Sequence, residues 1–155
     1  MISSEPDNAG VVAPPPLIYL AGAAVGWGIQ HWIPWALFSL RLWWLGVPLI
    51  VLGAGLALWA VSLMRSAGTN IDPGKPVTHL VRAGPFRWSR NPIYLSLTAL
   101  LVGAALIANS GWMLVMVVPI LVLMHYGVVR REERYLEAKF QDEYRAYIAH
   151  VRRWL

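Results

Sequence analysis

Two long segments of this chain carry almost no charged side chains, and this pattern constrains the fold more than any other feature. Residues 8–64 contain a single charged side chain, Arg41, and residues 91–129 contain no Asp, Glu, Lys or Arg. A charged side chain at the centre of a bilayer costs about 2.5–3.5 kcal/mol on insertion scales. Because this cost selects for long charge-free runs, the sequence predicts an integral membrane protein.

The composition agrees with a membrane protein and excludes several other classes. Of the 155 residues, 57% are hydrophobic and 14% are charged, whereas about 25% are charged in an ordinary soluble domain. A disordered tail, a coiled coil and an ordinary water-soluble domain are therefore excluded. The chain contains no cysteine and its histidines lack metal-ligand spacing, so we expect no metal site.

The apolar segments are long enough to form transmembrane helices. A helix needs about 20 apolar residues to cross a hydrocarbon core about 30 Å thick. Four segments suit this role: residues 16–34, 42–64, 92–108 and 112–129. The turn residues Asn109, Ser110 and Gly111 join the last two, which predicts a tight helical hairpin. In the second segment, Gly53 and Gly55 predict close helix packing. The predicted fold is an all-α membrane protein with four transmembrane helices.

Lysine and arginine are concentrated in two segments, with five in residues 65–90 and seven in residues 130–155. The positive-inside rule places both segments in the cytoplasm, and four spans then place both termini there. Most of these basic residues set the topology, and some can also attract anionic headgroups or an anionic ligand.

The predicted single domain, residues 1–155, has five parts along the chain. They are a flexible N-terminus (residues 1–15), two spans (16–64), a cytosolic loop (65–90), the helical hairpin (91–129) and a C-terminal amphipathic helix over the cytosolic mouth (130–155). The amphipathic helix is predicted from apolar residues that recur at three- and four-residue steps: Leu136, Phe140, Tyr144, Tyr147, Ile148 and Val151.

The start of the third predicted span has the features of an anion-binding site. Asn91 is a good N-cap residue and Pro92 is favoured at the first helical position, so a helix is predicted to begin here. Its free N–H groups and positive dipole end would lie beside Arg87 and Arg90, where a carboxylate or phosphate can bind. The alternative is a capped helix with arginines that snorkel to the interface.

Two adjacent carboxylates, Glu132 and Glu133, lie directly after the last predicted span. At about 100° per residue, Glu133 is in phase with the apolar face of the tail. A carboxylate on a packed face needs a cationic partner or a ligand. The alternatives are therefore a ligand contact or an ion pair with Arg87, Arg90 or Arg131.

Taken in order, the motifs of the second half of the chain resemble a known family. They are Thr78-His79-Leu80-Val81, Gly84-Pro85-Phe86, Arg90-Asn91-Pro92-Ile93-Tyr94, Glu132-Glu133, Phe140-Gln141-Asp142-Glu143-Tyr144 and Tyr147. Over residues 79–151 the chain resembles the isoprenylcysteine carboxyl methyltransferase and phospholipid N-methyltransferase superfamily of small integral membrane enzymes. The family usually has His at the position of Asn91. An Asn at this position is typical of the phospholipid branch and of many bacterial members.

The resemblance implies S-adenosylmethionine as methyl donor and S-adenosylhomocysteine as product. It implies that the cofactor lies at the cytosolic surface, against the hairpin and under the C-terminal segment. The implied cofactor contacts are Thr78, His79, Leu80, Val81, Phe86, Asn91, Pro92, Ile93 and Tyr94, with Glu132 or Glu133 holding the amino group. The chemistry of the cofactor adds Arg90 for its carboxylate, and the faces of Tyr94, Phe86 or Trp88 for its sulfonium.

The predicted reaction is methyl transfer to a lipid-like acceptor, which is either a phospholipid amine or an isoprenylcysteine-type carboxylate. A carboxylate acceptor needs a nearby cation such as Arg130, Arg131 or Arg87. An amine acceptor needs a base such as Glu133 or His79. Arg130 and Glu133 are the predicted catalytic residues.

Two other functions stay open from the sequence. One is an NADPH-dependent enzyme resembling sterol reductases, and the other is a non-catalytic membrane scaffold. For the methyltransferase we expect a lipid or lipidated acceptor, no nucleic acid partner, and a location in the bacterial inner membrane.

Overall fold

The computed structural model describes residues 7–40 and 43–154, and these form helices joined by turns and loops. The α-helices are α1 (Pro15–Trp32), α2 (Trp43–Ser66), α3 (Pro92–Ile107), α4 (Gly111–Val115), α5 (Val117–Met124) and α6 (Arg130–His150). A 3₁₀ helix, Gly84–Arg87, precedes α3, and a π-helical turn, His125–Val129, joins α5 to α6. The all-α prediction is confirmed for the described residues, which contain no β-strand longer than an isolated bridge.

Among the described residues, two helical stretches are long and apolar enough to cross a membrane. One is α2, with 24 residues, and the other is the 40-residue run Gly111–His150, which contains the fourth predicted span. Helix α3 is a shorter apolar helix, and α1 has 18 residues and coincides with the first predicted span. These lengths support a membrane location, while the count of four spans stays a prediction.

Helices α2 and α3 pack closely because glycines remove side chains between their backbones. A Cβ atom added to Gly103 would lie 2.9 Å from the carbonyl oxygen of Gly46, and one added to Gly53 would lie 3.0 Å from that of Ser96. Gly55 has no other described heavy atom within 4 Å of its Cβ position. Of the two glycines predicted to mediate packing, Gly53 therefore does so and Gly55 does not.

We expect Gly103→Ala to lower the free energy of unfolding by about 1 kcal/mol, because its methyl group overpacks the α2–α3 contact. Gly55→Ala adds the same methyl group on the open side of α2 and is the matched control. Thermal unfolding of both variants in the same detergent measures the difference. Equal unfolding temperatures for the two variants would contradict the close packing described above.

A turn at Asn109 and Ser110 joins α3 to α4, and α1 packs against both helices. Ser110 accepts a hydrogen bond from the Met113 backbone N–H at 3.3 Å and so caps α4, as expected for serine at this position. The Tyr19 hydroxyl of α1 lies 2.8 Å from the Thr98 hydroxyl of α3. The core between these helices is formed by buried apolar residues, which include Ile18, Leu101, Met113, Ile120, Met124 and Val128.

The C-terminal segment differs from the continuous helix predicted over residues 130–155. Helix α6 is interrupted at Gln141, where φ is 43° and ψ is −116°, and it ends at His150. The following residues are drawn back toward α3, because the backbone N–H of Arg90 donates to the Arg152 carbonyl at 2.9 Å and Ser89 forms a bridge with Arg152. The predicted apolar face packs inside the protein, where Tyr144, Tyr147 and Val151 are buried with Leu80, Leu136, Phe140 and Ile148.

Residues 7–14, which fall in the predicted flexible N-terminus, are held against the rest of the chain. The Val12 N–H donates to the Gly127 carbonyl at 3.2 Å, and Arg131 Nη1 donates to the Gly10 carbonyl at 2.7 Å. Asp7 forms an ion pair with Lys139 at 2.8 Å. This segment therefore runs beside the first half of α6, and residues 1–6 lie outside the described residues.

Candidate functional site

A cavity opens where the loop of residues 67–83, the 3₁₀ helix, the start of α3 and helix α6 meet. Its empty space, counted together with the solvent-filled open mouth, is about 860 Å³. The basic loop and tail converge on this end of the molecule. The cavity therefore lies on the side that the charge pattern assigns to the cytosol.

The structure brings together nearly all of the predicted cofactor contacts. The cavity wall includes His79, Leu80, Val81, Phe86, Arg90, Asn91, Pro92, Ile93, Tyr94, Glu132 and Glu133. Thr78 does not line the cavity, because its hydroxyl donates to the Gly68 carbonyl at 2.8 Å and its N–H donates to the Thr69 hydroxyl at 3.1 Å. Thr78 therefore shapes the loop behind the wall.

Helix α3 begins at Pro92, as predicted, with Asn91 at the N-cap position. The Asn91 side chain makes no capping hydrogen bond. Its Nδ2 atom instead donates to the Arg153 carbonyl at 2.8 Å, and its backbone N–H donates to the Ser89 hydroxyl at 3.1 Å. Asn91 thus joins the start of α3 to the C-terminal segment.

Glu133 is held by two arginines. Arg90 Nη1 lies 2.9 Å from Oε1, and Arg153 donates from Nε to Oε1 at 2.9 Å and from Nη2 to Oε2 at 2.6 Å. The side chains of Arg90 and Glu133 are only 15% and 16% exposed. The pairing with Arg90 is one of the alternatives predicted for this carboxylate. Two cations around one carboxylate leave this part of the wall with a net positive charge.

Glu132 has a different environment although it is the adjacent residue. Its Oε1 atom accepts a hydrogen bond from the Tyr94 hydroxyl at 2.5 Å, and no lysine or arginine pairs with it among the described residues. The pKa of Glu132 is raised from 4.5 to about 7, mainly by burial; the Tyr94 hydrogen bond opposes this rise and the charge of Glu133 adds to it. Glu132 is therefore a carboxylate on the cavity wall that lacks a cationic partner within the described chain.

The second half of α6 forms a roof over the cavity. Tyr147 donates from its hydroxyl to the Phe86 carbonyl at 2.7 Å, which ties this half of α6 to the 3₁₀ helix. Tyr144 is 2% exposed, and burial raises the pKa of its hydroxyl to about 12. Both tyrosines therefore stay protonated at neutral pH, and their rings separate the cavity from solvent on this side.

The structure does not bring Arg130, the other predicted catalytic residue, into the cavity. Arg130 is exposed, and its guanidinium carbon lies 5.6 Å from the centre of the Tyr126 ring. Arg131 is also turned away, toward the Gly10 carbonyl. Because the π-helical turn His125–Val129 precedes α6, the helical phase of the last span does not carry over to these arginines.

Tyr135, Tyr144 and Arg153 are among the residues of the site to which sequence reasoning assigned no role. Tyr135 and Tyr144 line the cavity, and Arg153 holds the Glu133 side chain. The sequence pattern could have indicated Tyr135 and Tyr144, because a tyrosine hydroxyl on the cavity face of a helix can contact a ligand. No such pattern indicates Arg153, because its contact depends on the interruption of α6 at Gln141.

Comparison with known proteins identifies the family. The family model described as phospholipid methyltransferase matches residues 41–143, which is more than half of the chain. A protein of Haemophilus influenzae, named only as an uncharacterized protein, is 47% identical over 64 residues, which cover 41% of this chain and the whole of that protein. No solved structure matches this chain. The chain belongs to the phospholipid methyltransferase family.

Proposed function

We propose that this protein transfers a methyl group from S-adenosylmethionine to a lipid-like acceptor at the cytosolic face of the membrane. Family membership indicates a membrane methyltransferase in general terms, and the donor, acceptor and topology are our proposal. The observation that carries it is the charge pattern of the cavity. Within the described chain, Glu132 has no cationic partner on one part of the wall. On another part, the two positive charges of Arg90 and Arg153 exceed the single negative charge of Glu133.

The residues present fit the donor. Its amino acid part carries an ammonium group and a carboxylate, which need an anionic and a cationic partner. Glu132 uses only Oε1 for a hydrogen bond within the described chain, so Oε2 can accept from an ammonium. The Nε atom of Arg90 is buried and has no hydrogen-bond partner among the described residues. A bound carboxylate would satisfy it, because an unpaired buried donor is costly.

In this assignment Glu132 binds the amino group, Arg90 binds the carboxylate, and the faces of Phe86 and Tyr94 lie near the sulfonium. When bound, S-adenosylmethionine supplies an electrophilic methyl group. The chain itself aligns the two reactants and excludes water. Tyr144 and Tyr147 exclude water because they form the roof of the cavity. The transfer requires no covalent bond between the methyl group and the enzyme.

The acceptor is proposed to be a lipid that enters from the bilayer with its headgroup at the cavity mouth. The family name favours a phospholipid amine over an isoprenylcysteine carboxylate. Such an amine must lose a proton before or during transfer. Glu133 is neutralised by two arginines and Arg130 lies outside the cavity. His79 lines the cavity and is the base we propose.

Calorimetry tests the donor assignment. Purified protein in detergent and in lipid nanodiscs is titrated with S-adenosylhomocysteine, with NADPH as the control ligand. We expect saturable binding of S-adenosylhomocysteine and no binding of NADPH, because the cavity matches an amino acid zwitterion. Absence of S-adenosylhomocysteine binding in both preparations would contradict the proposal, and binding of NADPH alone would favour the reductase alternative.

Lipid extracts incubated with the protein and a methyl-labelled donor test the acceptor. We expect the label on the nitrogen of a phospholipid headgroup, from which mild base does not release it as methanol. Label that is released by mild base as methanol would indicate a carboxyl methyl ester instead. Boiled protein in the same extract is the control, and no labelled lipid in the presence of bound donor would contradict a lipid-like acceptor.

A further inference from the structure

We propose that Arg153 is a positioning residue that keeps the carboxylate-binding part of the cavity positively charged and so selects ligands that carry a carboxylate. This inference rests on the proposed function and assigns a role to a residue of the C-terminal segment. Arg153 contacts Glu133 and does not line the cavity, so its effect would act through the Arg90–Glu133 pair.

The geometry supports a strong contact between Arg153 and Glu133. Arg153 approaches the carboxylate with Nε at 2.9 Å from Oε1 and Nη2 at 2.6 Å from Oε2. Such two-point pairing between a guanidinium and a carboxylate is both short and directional. Arg90 Nη1 reaches Oε1 from another direction at 2.9 Å. Glu133 is therefore shared, and both of its oxygens are engaged.

The charges of Arg90, Glu133 and Arg153 show the effect of sharing one carboxylate between two arginines. Arg90 and Arg153 contribute two positive charges and Glu133 one negative charge, so the group of three has a net positive charge. Without Arg153, Glu133 would cancel the charge of Arg90, and a ligand carboxylate would meet a neutral ion pair. The other ionisable groups nearby are Glu132, which adds a negative charge when ionised, and Tyr144, which stays neutral at pH 7.

Backbone hydrogen bonds hold Arg153 close to Glu133. Its carbonyl accepts from Asn91 Nδ2 at 2.8 Å, and the preceding carbonyl, of Arg152, accepts from the Arg90 N–H at 2.9 Å. These bonds do not involve the Arg153 side chain. A substitution of that side chain therefore leaves the attachment of the C-terminal segment to α3 in place.

The experiment compares two ligands that differ only in the carboxylate. Calorimetry measures the affinities of wild type and Arg153→Gln for S-adenosylhomocysteine and for its decarboxylated analogue, S-adenosyl-3-thiopropylamine. Wild type is expected to prefer S-adenosylhomocysteine by at least about tenfold, as for a charge-assisted contact. Arg153→Gln is expected to lose about tenfold in affinity for S-adenosylhomocysteine and less than about threefold for the analogue.

Arg152→Gln is the matched control, because it removes an equal charge from the adjacent residue, whose side chain is exposed and makes no hydrogen bond or ion pair within residues 7–40 and 43–154. It should keep the wild-type preference. The double variant Glu133→Gln, Arg153→Gln restores the net charge through Arg90 alone and should recover the preference to within about threefold. It also provides the test if Arg153→Gln does not fold.

An equal loss of affinity for both ligands in Arg153→Gln would overturn the inference, because it would indicate only a loosened roof. A double variant without the preference would overturn it as well. Failure of wild type to bind S-adenosylhomocysteine would instead count against the proposed function, so the two failures are distinguishable.

Discussion

Glu132→Gln is expected to weaken the binding of S-adenosylhomocysteine by about a hundredfold, the loss typical of removing one partner of a buried charge pair. Glutamine has nearly the same shape and keeps an oxygen that can accept from the Tyr94 hydroxyl. It lacks the negative charge that an ammonium group requires. Calorimetry at pH 8, where the wild-type carboxylate is ionised, measures the loss. Glu137→Gln, an exposed position on α6, is the control and should bind as wild type does.

The same substitution is expected to stabilise the protein at alkaline pH. The pKa of Glu132 is raised in the folded state to about 7, above its ordinary value of 4.5. The folded state therefore binds the proton more tightly than the unfolded state, and stability falls as the pH rises from 4.5 through 7. Glutamine removes this penalty, so the variant should gain about 2–3 kcal/mol at pH 8 and little below pH 4.5.

Thermal unfolding of wild type and Glu132→Gln at pH 5 and pH 8 checks the stability effect, with Glu137→Gln as the reference. A variant that both binds poorly and unfolds earlier than wild type at pH 8 would contradict our assignment, because it would identify Glu132 as a structural residue. Unchanged affinity at pH 8 would show that Glu132 does not hold the amino group.

The elements that form the cavity could be predicted from the sequence where the signal is local. The Asn91-Pro92 pair marks the start of α3, and the residues around Ser110 mark the hairpin turn, because capping and turn preferences depend on neighbours along the chain. The motifs that resemble the family then supplied the ligand-facing positions of the loop and of α3. These predictions required no knowledge of contacts between distant segments.

The division of roles between Glu132 and Glu133 could not be predicted in this way. Helical phase within α6 predicted that Glu133 lies on the packed face, but phase alone could not tell which partner each carboxylate contacts. One of the two arginines that hold Glu133 is Arg153, which lies 20 residues away along the chain. It reaches Glu133 because the helix is interrupted at Gln141 with a positive φ, a conformation that glutamine rarely adopts. Nothing local in the sequence marks that interruption.

Glu133→Gln is expected to have the opposite effect on stability from Glu132→Gln. It removes the shared counter-ion of Arg90 and Arg153 and leaves two guanidinium groups close together. Loss of one partner from a fully buried pair costs about 3–5 kcal/mol. Because the side chain of Arg153 is 35% exposed and solvent screens it, we expect a loss of about 2 kcal/mol. Affinity for the carboxylate of S-adenosylhomocysteine should not fall, since the positive charge is retained.

Thermal unfolding at pH 8 measures this loss, and Glu137→Gln again provides the control. Glu137 pairs with Arg145 on the exposed side of α6, so its substitution should change the stability by less than about 0.5 kcal/mol. The double variant Glu133→Gln, Arg153→Gln should be less destabilised than the sum of its single variants, because it removes a cation together with its partner. Equal effects of Glu133→Gln and Glu137→Gln would mean that the Arg90–Glu133–Arg153 group does not stabilise the roof.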